Sequence, residues 1–158
     1  RLDAGAEGRL VRFDMHEMLM EIADLYEPAC EDAGLKFESE ISHHLYVLGD
    51  RELLAQAISN LLDNAIKYTP EGGTITFRAL RTSDQVDIIV SDTGAMRDRA
   101  KERFFRLDEA RTQSGSGLGL ALVDSVADLH KGQLDLLWAS KLPDPHGLKT
   151  VFSLPRER

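Results

Sequence analysis

Gly115-Ser116-Gly117-Leu118-Gly119-Leu120-Ala121-Leu122-Val123 is the stretch around which the rest of the chain arranges itself. Three glycines at every second position run straight into an apolar helical pattern. Glycine lets a backbone adopt unusual dihedrals and approach a ligand closely. A helix that starts there points free N–H groups, and the positive end of its dipole, at whatever lies in front. Phosphate is the usual occupant of such a position. The competing reading is a flexible linker ahead of a helix, and the loop alone does not decide between the two.

The 158 residues fit one domain with its own core, so residues 1–158 are expected to form a single unit. Hydrophobic residues at 42% and charged residues at 29% give an ordinary globular balance. The net charge of −8 argues against a nucleic-acid partner, which calls for a basic face. It does not forbid an anionic ligand, because a local field can oppose the net sign. The one cysteine, Cys30, excludes an internal disulfide framework and reads as a small apolar helix residue. There is no apolar run of membrane-spanning length and no visible signal peptide. The lack of a disulfide framework suits a reducing cytosol, so a cytoplasmic domain without membrane contact of its own is expected, with a membrane-anchored parent protein left open. The chain opens on Arg1-Leu2-Asp3-Ala4-Gly5 without an initiator Met, as a piece of a longer protein would, and residues 1–9 are expected to be residual linker.

Leu10 to Phe13 reads as a short strand, with Asp14 as a helix N-cap and Glu17 in capping-box position. Met15, Met18, Leu19, Ile22, Ala23, Leu25 and Tyr26 then recur at helical spacing, and Gly34 stops the helix. Leu35 to Ile41 alternates like a half-buried strand, and Tyr46 to Leu48 forms a shorter one. Gly49-Asp50 marks a turn and an N-cap. Two alternating strands, Thr74 to Leu80 and Val86 to Val90, form a hairpin that ends in Ser91-Asp92-Thr93-Gly94. A carboxylate at a strand end followed by glycine can aim an acceptor into a cleft, although taken on its own an ordinary Asp turn is the better explanation. In the helix after the glycines, Leu118, Leu122, Val126 and Leu129 make one apolar line. Gln133 to Trp138 and Lys149 to Leu154 are the final strands. Three main helices and at least five strands, with hairpins prominent, predict one sheet covered on one face by helices, an α+β layer fold.

The helix from Arg51 to Tyr68 carries a second message. Leu54, Ala57, Ile58, Leu61, Leu62, Ala65 and Ile66 make its buried stripe, while Gln56, Asn60, Asn64 and Lys67 make one polar stripe at 100° per residue. Asparagine is a poor helix former, and such local rule-breaking often marks a functional site. An amide oxygen is a suitable ligand for Mg²⁺, and a lysine supplies a point charge for phosphate. A solvated polar face, or amides that satisfy buried polar neighbours, is the alternative, and this helix alone leaves both readings open.

Four blocks now stand in a fixed order: Asn60-Leu61-Leu62-Asp63-Asn64-Ala65-Ile66-Lys67-Tyr68, Asp92-Thr93-Gly94, Arg103-Phe104-Phe105-Arg106 and Gly115-Ser116-Gly117-Leu118-Gly119. Together they resemble the catalytic, ATP-binding domain of bacterial sensor histidine kinases, with its asparagine, first glycine, phenylalanine and second glycine boxes. The resemblance extends from Leu10 to Leu154, and all four boxes in order are highly specific. It implies an α+β, two-layer α/β sandwich of the Bergerat type, with a mixed, mostly antiparallel sheet of about five strands, three main helices on one face, and ATP held between helices and a mobile lid.

By that resemblance Asn64 ligates Mg²⁺, and Asn60 supports the metal and phosphates. Lys67 approaches the phosphate chain and Tyr68 the nucleoside. Asp92 accepts from the adenine amino group, Gly94 lets the purine lie close, and Arg106 reaches the terminal phosphate. Gly115, Gly117, Leu118 and Gly119 belong to the lid over the phosphates. The expected reaction is transfer of the ATP γ-phosphate to a histidine on a separate dimerisation domain, with a response regulator downstream.

The pattern departs from the family in two places. After Asp92-Thr93-Gly94 the chain continues as Ala95-Met96, without a second glycine, and the segment to Arg103 is about five residues short by analogy. This departure favours the alternative of a degenerate module that docks without catalysis; a serine kinase of the anti-sigma-factor type shares the same ATP fold. The other departure is that none of His16, His43, His44, His130 and His146 stands in a phosphoacceptor context, so the chain is not expected to autophosphorylate alone.

Overall fold

The computed structural model describes residues 9–93, 119–140 and 146–158. Their elements in chain order are β1 (Val11–Asp14), α1 (His16–Asp32), β2 (Lys36–Ile41), β3 (Tyr46–Gly49), α2 (Arg51–Tyr68), β4 (Thr74–Arg81), β5 (Gln85–Asp92), α3 (Gly119–Leu129), β6 (Gln133–Ser140) and β7 (His146–Pro155). The main sheet has the order β2-β4-β5-β7-β6. Its β2–β4 pair is parallel and the other pairs are antiparallel. The parallel pair needs a long crossover, which α2 supplies. The strands β1 and β3 form a separate antiparallel pair in which Arg12 faces Leu48 and Phe13 faces Val47.

Alternation dictates which face of the sheet is covered. Ile75, Phe77 and Ala79 on β4, Val86, Ile88 and Val90 on β5, and Leu148, Phe152 and Leu154 on β7 are all buried. With buried Thr150 between Leu148 and Phe152, each set steps by two residues, the period of a pleated strand. The helices close this face: α1 packs on β2 and α2, while α3 packs against α2, β6 and β7. The edge strand β2 is less covered than its alternation suggests, with Phe37 and Ile41 half-buried and the other residues exposed.

Helix α2 begins and ends where its sequence signals put it. The Asp50 carboxylate accepts from Leu53 N at 3.1 Å, and Thr69 N donates to Ala65 O at 3.1 Å before Pro70 ends the run. Helix α1 starts later than its capping box suggests. It opens at His16 with Met15 at the cap and no side-chain cap bond. Asp14 is the last residue of β1, and its carboxylate is shared between His16 N at 3.0 Å and Leu45 N at 2.9 Å, tying strand, helix and loop together. Pro28 is accommodated within α1, whose C-cap is Ala33, followed by Gly34 with φ +74°. Cys30 is fully buried, and burial pushes its thiol up, as expected of an inert core residue.

The buried line of α3 differs from the expected one. Leu120, Val123, Val126 and Ala127 are buried, whereas Leu122 and Leu129 are half-buried and Leu118 lies outside the described residues. This helix is apolar on most of its surface, so period alone does not select the face turned to the core. Among the described residues, no helix is long and apolar enough to cross a membrane.

Two polar contacts lock the helical layer. The Tyr26 hydroxyl of α1 donates to Asp63 Oδ1 of α2 at 2.8 Å and to Ser59 O at 3.2 Å. Burial and the adjacent Asp63 carboxylate push this phenol up to about 12. His130, just past α3, accepts from Asp50 N on Nε2 at 3.0 Å and donates from Nδ1 to Val126 O at 2.7 Å. The buried ring joins the end of α3 to the start of α2, and burial pulls its pKa below the ordinary imidazole range.

Candidate functional site

The inward row of β5 runs Val86, Ile88, Val90 and then Asp92, so strand alternation turns a carboxylate to the covered face of the sheet. Asp92 is only 2% exposed. Its Oδ1 accepts from Leu148 N on β7 at 3.4 Å. The neighbouring row of β7 runs Leu148, Thr150, Phe152 and Leu154, and Thr150 is opposite Val90. The Thr150 hydroxyl donates to Val90 O at 3.2 Å, which leaves its lone pairs able to accept.

Across from these strands, α2 brings Leu61, Asn64 and Ala65 to the same place, and α3 brings Leu120. The resulting cleft is lined by Asn64, Asp92 and Thr150 as its polar members, with Leu61, Ala65, Val90, Leu120 and Leu148 as apolar walls. A mostly apolar slot with a few convergent polar groups is the usual form of a small-molecule site. Its free volume is only about 10 Å³, room for roughly one water.

Each polar group has a distinct capacity. An ionised Asp92 carboxylate only accepts, so it selects an N–H or O–H donor on a ligand. The Asn64 amide offers an oxygen to a hard cation and an NH₂ to an anion. The Thr150 hydroxyl can serve a ring nitrogen or a bridging water.

The expected site residues fall into three groups. Asn64 and Asp92 meet in the cleft. Asn60, Lys67 and Tyr68 share α2 with Asn64 but do not line the cleft; Asn60 and Tyr68 are half-buried, and exposed Lys67 has its Nζ 5.3 Å from the Tyr68 ring centroid. Gly119 opens α3, one residue ahead of the cleft-lining Leu120. Gly94, Arg106, Gly115, Gly117 and Leu118 lie outside the described residues, as do the Ala95-Met96 departure and the Phe104-Phe105 pair. The residue that sequence reading missed is Thr150. Its signal was a hydroxyl on the apolar row of the last strand, two residues from Leu148 and from Phe152.

The family model "Histidine kinase-, DNA gyrase B-, and HSP90-like ATPase" matches residues 49–158. Over 151 residues the chain is 36% identical to the adaptive-response sensory kinase SasA of Microcystis aeruginosa, covering 91% of this chain and 38% of that protein. The chain thus spans well under half the length of that relative. Among solved structures, the mycobacterial sensor histidine kinase MprB matches with a TM-score of 0.73 and 31% identity, over 93% of this chain and 99% of that one. Full-length ShkA, solved in complex with AMPPNP, matches with a TM-score of 0.71 and 26% identity over 94% of this chain and 32% of its own. With the layered sheet, the cleft and these likenesses in hand, the chain belongs to the histidine kinase-, DNA gyrase B- and HSP90-like ATPase family, in the form carried by sensor histidine kinases.

Proposed function

We propose that this domain binds Mg-ATP and donates the γ-phosphate to a histidine on a separate dimerisation domain, in a two-component relay that ends on a response regulator. The observation that carries this reading is the meeting of Asn64, Asp92 and Thr150 in one apolar-walled cleft. Asp92 accepts the exocyclic amino group of adenine. The walls from Leu61, Leu120 and Leu148 exclude water from the purine faces. Thr150 offers its free lone pairs to the ring edge. Asn64 presents its amide oxygen to Mg²⁺, whose charge, when bound, neutralises the phosphate oxygens.

On the same helix, Asn60 supports the metal and phosphates, Lys67 approaches the phosphate chain, and Tyr68 flanks the nucleoside. Arg106 takes the terminal phosphate, and Gly94 with Gly115, Gly117, Leu118 and Gly119 completes the pocket and lid. Phosphoryl transfer asks the protein for positioning and charge more than for covalent help. An amide at Asn60 cannot take a proton from water, which suits a kinase that must keep ATP from hydrolysis. The domain acts in the cytoplasm, where ATP is supplied.

The test is phosphotransfer from radiolabelled ATP to an isolated histidine-bearing helical domain. Acid-labile label on that domain, and none on this chain by itself, is expected. Acid-stable label on a serine-bearing partner, or no transfer from bound ATP, would contradict it.

A further inference from the structure

On the outer side of the β1–β3 pair, a groove of about 560 Å³ is lined by Arg12, His44, Tyr46, Arg156 and Arg158, with Glu157 as its one acidic member. It shares no residue with the nucleotide cleft. Each guanidinium is positioned by an uncharged partner. Arg12 is over the Tyr46 ring at 4.2 Å, Arg156 donates to Thr82 O at 2.8 Å, and Arg158 donates to Ser83 O at 3.2 Å. Between described residues the ion pair is Arg78 with Glu40, and none of the groove arginines enters one. Three ordered cations therefore converge on a protein whose net charge is −8.

Beside the groove are an apolar and a strained component. Leu48, the register partner of Arg12, is 46% exposed. His44 stacks on Tyr46 at 6.4 Å between centroids and holds a left-handed backbone, φ +59°. Non-glycine residues keep such a conformation where the surroundings enforce it, often at functional surfaces.

We propose that this groove docks an acidic segment of a protein partner, whose carboxylates pair with Arg12, Arg156 and Arg158 and whose apolar side chains cover Tyr46 and Leu48. The planar guanidinium fork matches a carboxylate bidentately. Arginine and tyrosine beside exposed aliphatic groups make the composition of a protein interface. A duplex or an anionic bilayer presents many phosphates over a wide face, and the net negative charge of this chain opposes both beyond the groove itself.

The test is a fluorescence-anisotropy titration of the whole chain with a short labelled peptide of alternating Glu and Leu. Simple electrostatics predicts repulsion from this chain, so saturable binding is informative. Binding is expected, with affinity lost about tenfold or more in Arg12→Glu and again in Arg156→Glu. Amide and guanidinium NMR signals of Arg12, Tyr46 and Arg158 are expected to shift while signals of the nucleotide cleft stay in place. Arg12→Gln, at an exposed position, serves if Arg156→Glu proves unfolded by circular dichroism. Affinity in Arg12→Glu or Arg12→Gln equal to that of the parent, shifts centred elsewhere, or tighter binding to inorganic phosphate, single-stranded DNA or phosphatidylglycerol vesicles than to the peptide would overturn the proposal.

Discussion

Gly147 packs directly against Asp92: a Cβ built on Gly147 would stand 2.1 Å from the Asp92 carbonyl oxygen. Gly147 also has φ +69°, which side chains disfavour. The end of β5 that presents the Asp92 carboxylate is thus held by a backbone contact that only glycine permits. Gly147→Ala should destabilise the domain by about 2 kcal/mol or more through the combined clash and dihedral strain. Nucleotide affinity should fall with it, because β5 must shift. Denaturant unfolding together with calorimetry checks both, and unchanged stability would show that the strands yield freely.

Thr150→Val keeps the volume and the β-branch but removes the hydroxyl. Nucleotide affinity should drop by about 0.5–1.5 kcal/mol, the usual net worth of one hydrogen bond. A drop in stability with no drop in affinity would leave Thr150 with a purely structural part, through its bond to Val90 O.

Asn64→Ala should leave the fold intact, since α2 gains a better helix former at a half-buried position. Its nucleotide binding should no longer respond to added Mg²⁺. Titrations with and without a chelator measure this, and a preserved metal response would remove Asn64 from the metal site.

His130 gives a pH signature. Its Nε2 accepts from Asp50 N, so a protonated ring would turn a donor on a donor. Burial lowers its folded pKa, while the unfolded value is about 6.5. The unfolded chain therefore binds more protons below about pH 6.5, and stability is present above that pH and lost as pH falls through the lowered folded value. His130→Gln removes the titration, so its deficit relative to the parent should shrink between about pH 7 and pH 5. Parallel unfolding curves for the two proteins across that range would show that His130 does not titrate.

Where local signals agreed, the sequence was read correctly. Helix α2 has an N-cap at Asp50, a clean apolar stripe and Pro70 after its end, and it forms where those signals place it. Asp92 was visible as a strand-end carboxylate ahead of Gly94, but only the family resemblance singled it out from an ordinary Asp turn; its place on the inward row of β5 comes from the structure. Helix α3 was harder, because Leu120, Ala121, Leu122 and Val123 are all apolar and the face toward the sheet is chosen by packing against α2, β6 and β7. Thr150 was hidden for a different reason. Threonine is a common strand former, and only the register Val90 opposite Thr150 reveals that its hydroxyl is on the row that meets Asp92 and Asn64. The basic groove was also invisible, since Arg12, Tyr46 and Arg156 are far apart in the chain and meet through the β1–β3 pair and the bond from Glu157 N to Tyr46 O at 2.8 Å.

Calorimetric titration of Mg-ATP into the parent domain and into Asp92→Ala bears most directly on the nucleotide cleft. Saturable one-site binding is expected for the parent, weakened by about 1–3 kcal/mol in Asp92→Ala because the adenine amino group loses its acceptor. Equal affinity in the two folded proteins, or no binding to the folded parent, would contradict the assignment of this cleft.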